Sequence, residues 1–140
     1  MHCALCHLYA RPRAPASLHL MQVMADLENG LWAGNERYSP SNMPITTDYV
    51  TAMVKGRSDG FALKAGDATQ AQLATMFDGP RPAGYQPMRK QGSIVLGIGG
   101  DNSDSAVGIF YEGAITAGIS SDAADAALQA NIAAFRYGAK

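Results

Sequence analysis

An all-β sandwich closed by one C-terminal helix is the fold class that this sequence predicts, and three observations predict it. About five or six short strand-like runs follow one another between clusters of Gly, Pro, Asn and Asp. No helical pattern alternates with them, which argues against a parallel βαβ sheet. The one stretch of helical period comes last, from Asp122 to Tyr137.

Residues 1–20 read as an unmatched, irregular leader ahead of a domain spanning 21–140. They hold His2, His7, His19, Arg11, Arg13, Pro12, Pro15 and both cysteines, and no acidic residue. A secretory signal needs an uninterrupted apolar stretch of ~7–15 residues and a small-residue cleavage site, and neither is visible here. Cys3-Ala4-Leu5-Cys6-His7 has the spacing of a c-type haem attachment site. The helical pocket and distal ligand that haem requires are absent from the pattern, so no cofactor is expected.

From Met21 the period becomes two. Val23, Ala25 and Leu27 alternate with Met24, Asp26 and Glu28, which places Asp26 and Glu28 on one face of a strand. A turn-rich connection follows from Leu31 to Asn42, with Trp32 its one large aromatic. Asp48 to Lys55 is the next strand, its loose alternation suiting a sheet with one face in the core and the other half covered. Gly56-Arg57-Ser58-Asp59-Gly60 then forms a hairpin into Phe61 to Lys64.

Gln72 to Phe77 is a further strand, and Asp78 to Gly84, with two prolines and two glycines, is expected to be irregular. Ser93 to Ile98 is the most hydrophobic strand, and Val107 to Ala117 another. In the closing helix Ser and Asp stand at the start, and Ala124, Leu128, Ile132 and Phe135 are the expected apolar face.

Composition narrows the function. Eleven Lys and Arg against twelve Asp and Glu leave no positive field for a phosphate backbone, so nucleic acid is not an expected partner. No apolar stretch approaches the ~20 residues that span a bilayer, so no membrane partner is expected either.

Two acidic motifs carry the chemistry. Asp26-Leu27-Glu28-Asn29-Gly30 and Gly97-Ile98-Gly99-Gly100-Asp101-Asn102 each follow an apolar run and put a carboxylate where a strand gives way to a loop. Two carboxylates brought together are the minimal equipment for cutting a glycosidic bond, one holding a proton while the other attacks or stabilises the sugar cation. A retaining pair stands ~5–5.5 Å apart, close to the ~4.8 Å between neighbouring strands. The alternative is a pair of solvated turn carboxylates.

Asp101, Ser103, Ser105 and Glu112 have the spacing of a calcium loop, but Ala106 takes the place of its glycine. The Gly97 to Asn102 segment lacks the third glycine and following helix of a nucleotide loop. Trp32 and Tyr85 are open to two readings, as core residues or as platforms for a sugar ring.

From about Val23 the chain resembles the second half of the catalytic domain of the α-L-arabinofuranosidase B family, glycoside hydrolase family 54. Five ordered blocks carry the resemblance: Met24 to Leu31, Tyr49 to Gly56, Gly84 to Met88, Ile94 to Ser103 and Phe110 to Gly113. It implies a partial concanavalin-like (jelly-roll) β-sandwich that releases terminal L-arabinofuranosyl units from polysaccharides or oligosaccharides with retention of configuration. It further implies Glu28 as nucleophile and Asp101 as acid/base, with Asp26, Asn29, Gly99 and Gly100 holding the sugar.

Extracellular residence is also implied by the resemblance alone. The family's domain begins well upstream, and its adjacent cysteine pair has no counterpart in the Cys3 and Cys6 spacing. The chain is therefore expected to be a truncated product whose partner is the missing N-terminal half of the catalytic domain. A noncatalytic, lectin-like sugar-binding sandwich is the alternative.

Overall fold

The computed structural model describes residues 3–10, 23–26, 31–34, 44–85 and 108–139. Seven strands and one helix occur among them: β1 (Cys3–Ala10), β2 (Ala25–Asp26), β3 (Leu31–Trp32), β4 (Tyr49–Gly56), β5 (Phe61–Asp67), β6 (Ala74–Gly79), β7 (Ile109–Ala117) and α1 (Asp122–Ala134). Five strands form an antiparallel sheet in the order β6-β5-β4-β1-β7, and β2 and β3 form a separate two-stranded ladder. The all-β class and the closing helix are those expected from the sequence.

The β4–β5 hairpin is the centre of the sheet, and its sequence shows why. Arg57 N donates to Gly60 O at 2.9 Å, closing the turn over Ser58 and Asp59, so that Gly56 pairs with Phe61 and Val50 with Asp67. Phe61, Ala62, Leu63, Lys64 and Ala65 are all buried, because both faces of β5 are covered.

On one face Ala25 meets Phe61 and Leu63, with Val54, Met76 and Phe77 around them; Ile45, Val50 and Ala65 extend that core toward Val23. Gly34 lies so close to the Phe77 ring that a Cβ there would stand 2.7 Å from it. On the other face Met53 and Ala68 meet Ile132 of α1, flanked by Tyr49, Leu73 and Tyr137. The β4–β5 hairpin is thus covered by the β2–β3 ladder on one side and the helix on the other.

Four expectations need correction. Cys3–Ala10, assigned to an irregular leader, is an eight-residue strand paired with both β4 and β7, Leu5 lying opposite Val54 and Ile115. The Pro and Arg residues that gave the leader its irregular character all follow Ala10, while Cys3 to Ala10 itself holds no Gly, Pro or charged residue. Secondly, β2 begins at Ala25, with Val23 and Met24 outside it, and β3 (Leu31–Trp32) lies inside the stretch read as a connection.

Thirdly, β6 runs on through Asp78 and Gly79, because the pairing of Ala62 with Asp78 and Phe61 with Gly79 holds the strand straight up to Pro80. Fourthly, the helix stops at Ala134 rather than Tyr137, where Phe135 caps it and Arg136 adopts φ 58°. Its packed face is also not the apolar one: Asp125, Gln129 and Ile132 are buried, whereas Leu128 is 39% and Phe135 73% exposed. The strand expected at Ser93 to Ile98 lies outside the described residues.

Candidate active site

Of the six residues expected to form the site, Asp26 lies on β2, opposite Leu31 of β3. Glu28, Asn29, Gly99, Gly100 and Asp101 lie outside the described residues. The ladder that flanks the first motif is anchored on both sides. Ala25, one residue before Asp26, is buried against Phe61 and Leu63, and Trp32, half-buried, pairs with Ala25 across the ladder. Tyr85, also half-buried, is held in a turn by its N–H donating to Pro82 O at 3.1 Å.

The titratable groups that the structure does bring together lie on the opposite face of the sheet, and sequence reasoning missed them. Lys55 on β4 and Lys64 on β5 extend under the first turn of α1. Each Nζ stands 2.6 Å from Asp125 Oδ2; Asp122 Oδ1 is 2.6 Å from Lys64 Nζ and 3.4 Å from Lys55 Nζ. Ser120 Oγ donates to Asp125 Oδ1 at 2.5 Å. The Asp125 side chain is 1% exposed and the two lysines under 10%, whereas Asp122 stands at the solvent boundary with 89% exposure.

Burial alone would push the Asp125 carboxyl up, but the hydrogen bonds from Lys55, Lys64 and Ser120 outweigh it and hold the carboxyl below its ordinary value. Burial likewise opposes the charge on Lys64, and its bonds to Asp122 and Asp125 reverse the balance, raising it. Asp122 is lowered, chiefly by its hydrogen bond from Lys64. Two ammonium groups face two carboxylates and all four are paired, so the cluster offers no poised base or nucleophile. It is a clamp between helix and sheet. Its sequence signal was the Ser121-Asp122 start, whose side chain caps the helix by accepting from Ala124 N.

Gln129 extends the clamp by one turn, its Nε2 donating to Asp67 O at 2.8 Å and Gln70 O at 2.7 Å. Glu112, the twelfth position of the calcium-like spacing, accepts from Tyr137 Oη at 2.7 Å. Burial and that hydrogen bond push the Tyr137 phenol up to about 12. Among the described residues no three His, Cys, Asp or Glu side chains are grouped to hold a metal ion. No helix among them is long and apolar enough to cross a membrane.

A five-stranded antiparallel sheet faced by a two-stranded ladder on one side and a helix on the other places the described residues in the all-β class. Comparison with known proteins narrows this class. Residues 16–138 match the family described as alpha-L-arabinofuranosidase B, catalytic, and the chain belongs to that family, glycoside hydrolase family 54.

An α-L-arabinofuranosidase of Hypocrea jecorina is 48% identical over 118 residues, covering 82% of this chain and 24% of that protein. A family 54 α-L-arabinofuranosidase soaked with a cyclic sulfate inhibitor superimposes with a TM-score of 0.80 and 32% identity, over 95% of this chain and 36% of that one. An arabinofuranosidase complexed with arabinofuranosyl-α-1,2-xylobiose gives a TM-score of 0.78 and 31% identity over the same shares. The chain thus spans about a quarter of the length of the curated relatives it matches.

Proposed function

We propose that the chain carries the catalytic carboxylates of a retaining α-L-arabinofuranosidase that releases terminal arabinofuranosyl residues from arabinose-containing polysaccharides or oligosaccharides. The observation that supports this most is the family match over residues 16–138, whose bounds enclose both acidic motifs. The relative solved with arabinofuranosyl-xylobiose supports the substrate class. A polymer of this kind cannot enter a cell intact, which supports an extracellular site of action.

In this reading Glu28 attacks the anomeric carbon while Asp101 gives its proton to the leaving oxygen. Asp101, now a carboxylate, then takes a proton from water, which opens the glycosyl-enzyme ester and returns Glu28. For this cycle Asp101 must rest protonated and Glu28 ionised, a division favoured when one carboxylate raises the proton affinity of the other. Asp26 and Asn29 bond the sugar hydroxyls, and Gly99 and Gly100 let the backbone approach the furanose ring.

The rest of the catalytic domain is the proposed partner. Ile109 and Tyr111 on β7 are 53% and 41% exposed, and β7 pairs only with β1 among the described residues. An edge strand with exposed apolar side chains fits a polypeptide that continues the sandwich. The test is hydrolysis of an aryl α-L-arabinofuranoside by this chain, alone and mixed with a polypeptide carrying the remainder of a relative's catalytic domain. Glu28→Gln and Asp101→Asn should each lose at least ~100-fold in rate. Full activity in either variant refutes the assigned roles.

A further inference from the structure

A solvent-open cleft of about 390 Å³ lies on the helix side of the sheet, between the approach to β4, the β5–β6 turn and the residues that follow α1. Apart from Gly138, every residue lining it carries a hydroxyl or a carboxylate, chiefly Thr46, Asp48, Tyr49, Asp67, Thr69 and Tyr137. Its volume falls in the range of small-ligand sites. We propose that this cleft is an accessory binding site for an uncharged saccharide.

The chemistry of the walls selects the ligand. Carboxylates and hydroxyls accept and donate to vicinal sugar hydroxyls. Asp48 and Asp67, with no Lys, Arg or His among the described lining residues, disfavour a phosphate or a uronate by like-charge repulsion. An apolar ligand would strand the hydroxyls without partners.

The walls are held in place before any ligand arrives. Thr47 Oγ1 and Ala68 N both donate to Tyr49 O, at 3.1 and 3.0 Å. One oxygen of Asp67 accepts from Thr69 N at 2.8 Å and Thr69 Oγ1 at 2.7 Å, which fixes the carboxylate. Gly138, at φ 78°, lets the chain close on the Tyr49 ring, which would stand 2.6 Å from a Cβ there. A pre-ordered wall lowers the entropic cost of binding.

The cleft also opens onto an aromatic strip. Tyr49 and Tyr137 stack with centroids 6.3 Å apart, and Phe135 lies 4.9 Å beyond Tyr137. Phe135 is 73% exposed, so its ring is available to a ligand that extends out of the cleft. Tyr49 and Tyr137 border the Met53–Ile132 core, whereas Ala25 of β2 belongs to the core on the other face. The site therefore serves to hold the polymer rather than to cut it, and only its choice of polymer rests on the proposed function.

The experiment is titration of the 140-residue chain with a neutral β-1,4-xylo-oligosaccharide, followed by amide NMR shifts and by retention in arabinoxylan affinity gels. Saturable shifts at Thr46, Thr47, Asp48, Thr69 and Gly138 are expected, with a Kd on the order of 1 mM. Asp48→Asn and Thr46→Ala, both at exposed positions, should weaken binding at least about fivefold, while Ser58→Ala, at the exposed tip of the β4–β5 turn, leaves it unchanged. Tyr137→Phe, which keeps the ring, should retain most of it.

Equal retention by Asp48→Asn, Thr46→Ala and the parent chain would overturn the site, as would tighter binding of an oligogalacturonate. Hydrolysis of the aryl arabinofuranoside without retention removes the accessory site and leaves the proposed function standing. Retention without hydrolysis, even with the rest of the catalytic domain added, does the reverse.

Discussion

Lys64 Nζ on β5 and Asp125 Oδ2 on α1 stand 2.6 Å apart with both side chains shut off from solvent, and Lys55 reaches the same oxygen from β4 at the same distance. One helix carboxylate thus ties two strands to the layer above them. Removing one partner of a buried ion pair costs about 3 to 5 kcal/mol, because the remaining charge is left without compensation. Asp125→Asn should lose stability of that order in urea unfolding. Asp122→Asn, at an exposed position, should lose much less.

The same clamp sets the pH dependence of stability. Asp125 and Asp122 are held below the ordinary value of 3.8, so the stability they contribute is complete above that value and is lost as pH falls through their lowered folded values. Lys64 is raised above 10.5, so its contribution is complete below 10.5 and is lost as pH climbs past its folded value. Tyr137 acts in the same alkaline direction, its contribution disappearing between 10 and about 12. Melting temperature against pH should therefore form a plateau from about 5 to 9 with falls at both ends, and Asp125→Asn should flatten the acid fall.

The helix face gives a third prediction. Ile132 is 3% exposed against Met53 and Ala68, so Ile132→Ala should cost about 2 to 5 kcal/mol. Phe135→Ala should cost less than about 1 kcal/mol, since that ring is mostly in solvent. The reverse order in chemical denaturation would contradict the packing described.

Gly66 supplies a fourth. A Cβ at that position would stand 2.5 Å from the carbonyl oxygen of Gln72, a backbone atom that cannot swing aside. Gly66→Ala should lose about 1 to 3 kcal/mol through forced displacement of the β5–β6 turn. At Gly84, where φ is 78° and the space is open, alanine meets only backbone strain of about 1 to 2 kcal/mol.

What the sequence revealed follows from how local each signal is. The β4–β5 hairpin was legible because turn residues and flanking apolar runs lie within a few positions of each other. The packed face of α1 was not, because apolar periodicity presumes an apolar partner, and the sheet beneath offers Lys55 and Lys64 instead. Only Ile132 of the four expected apolar positions is buried there. Cys3–Ala10 was missed because composition was averaged over a window whose second half carries the Pro and Arg residues. At the candidate site, the place of Asp26 on a strand was readable from the alternation of Val23 and Ala25, both of which meet the core. The proposed pairing of Glu28 with Asp101 would depend on long-range folding, which no local pattern encodes.

The most direct measurement is the anomeric configuration of the first arabinofuranose released from an aryl α-L-arabinofuranoside, read by proton NMR before mutarotation, with the chain assembled with the rest of the catalytic domain. Attack by Glu28 followed by water activated by Asp101 predicts α-arabinofuranose, the product of two inversions. A first product of β configuration, or undiminished release by Glu28→Gln, would contradict the mechanism.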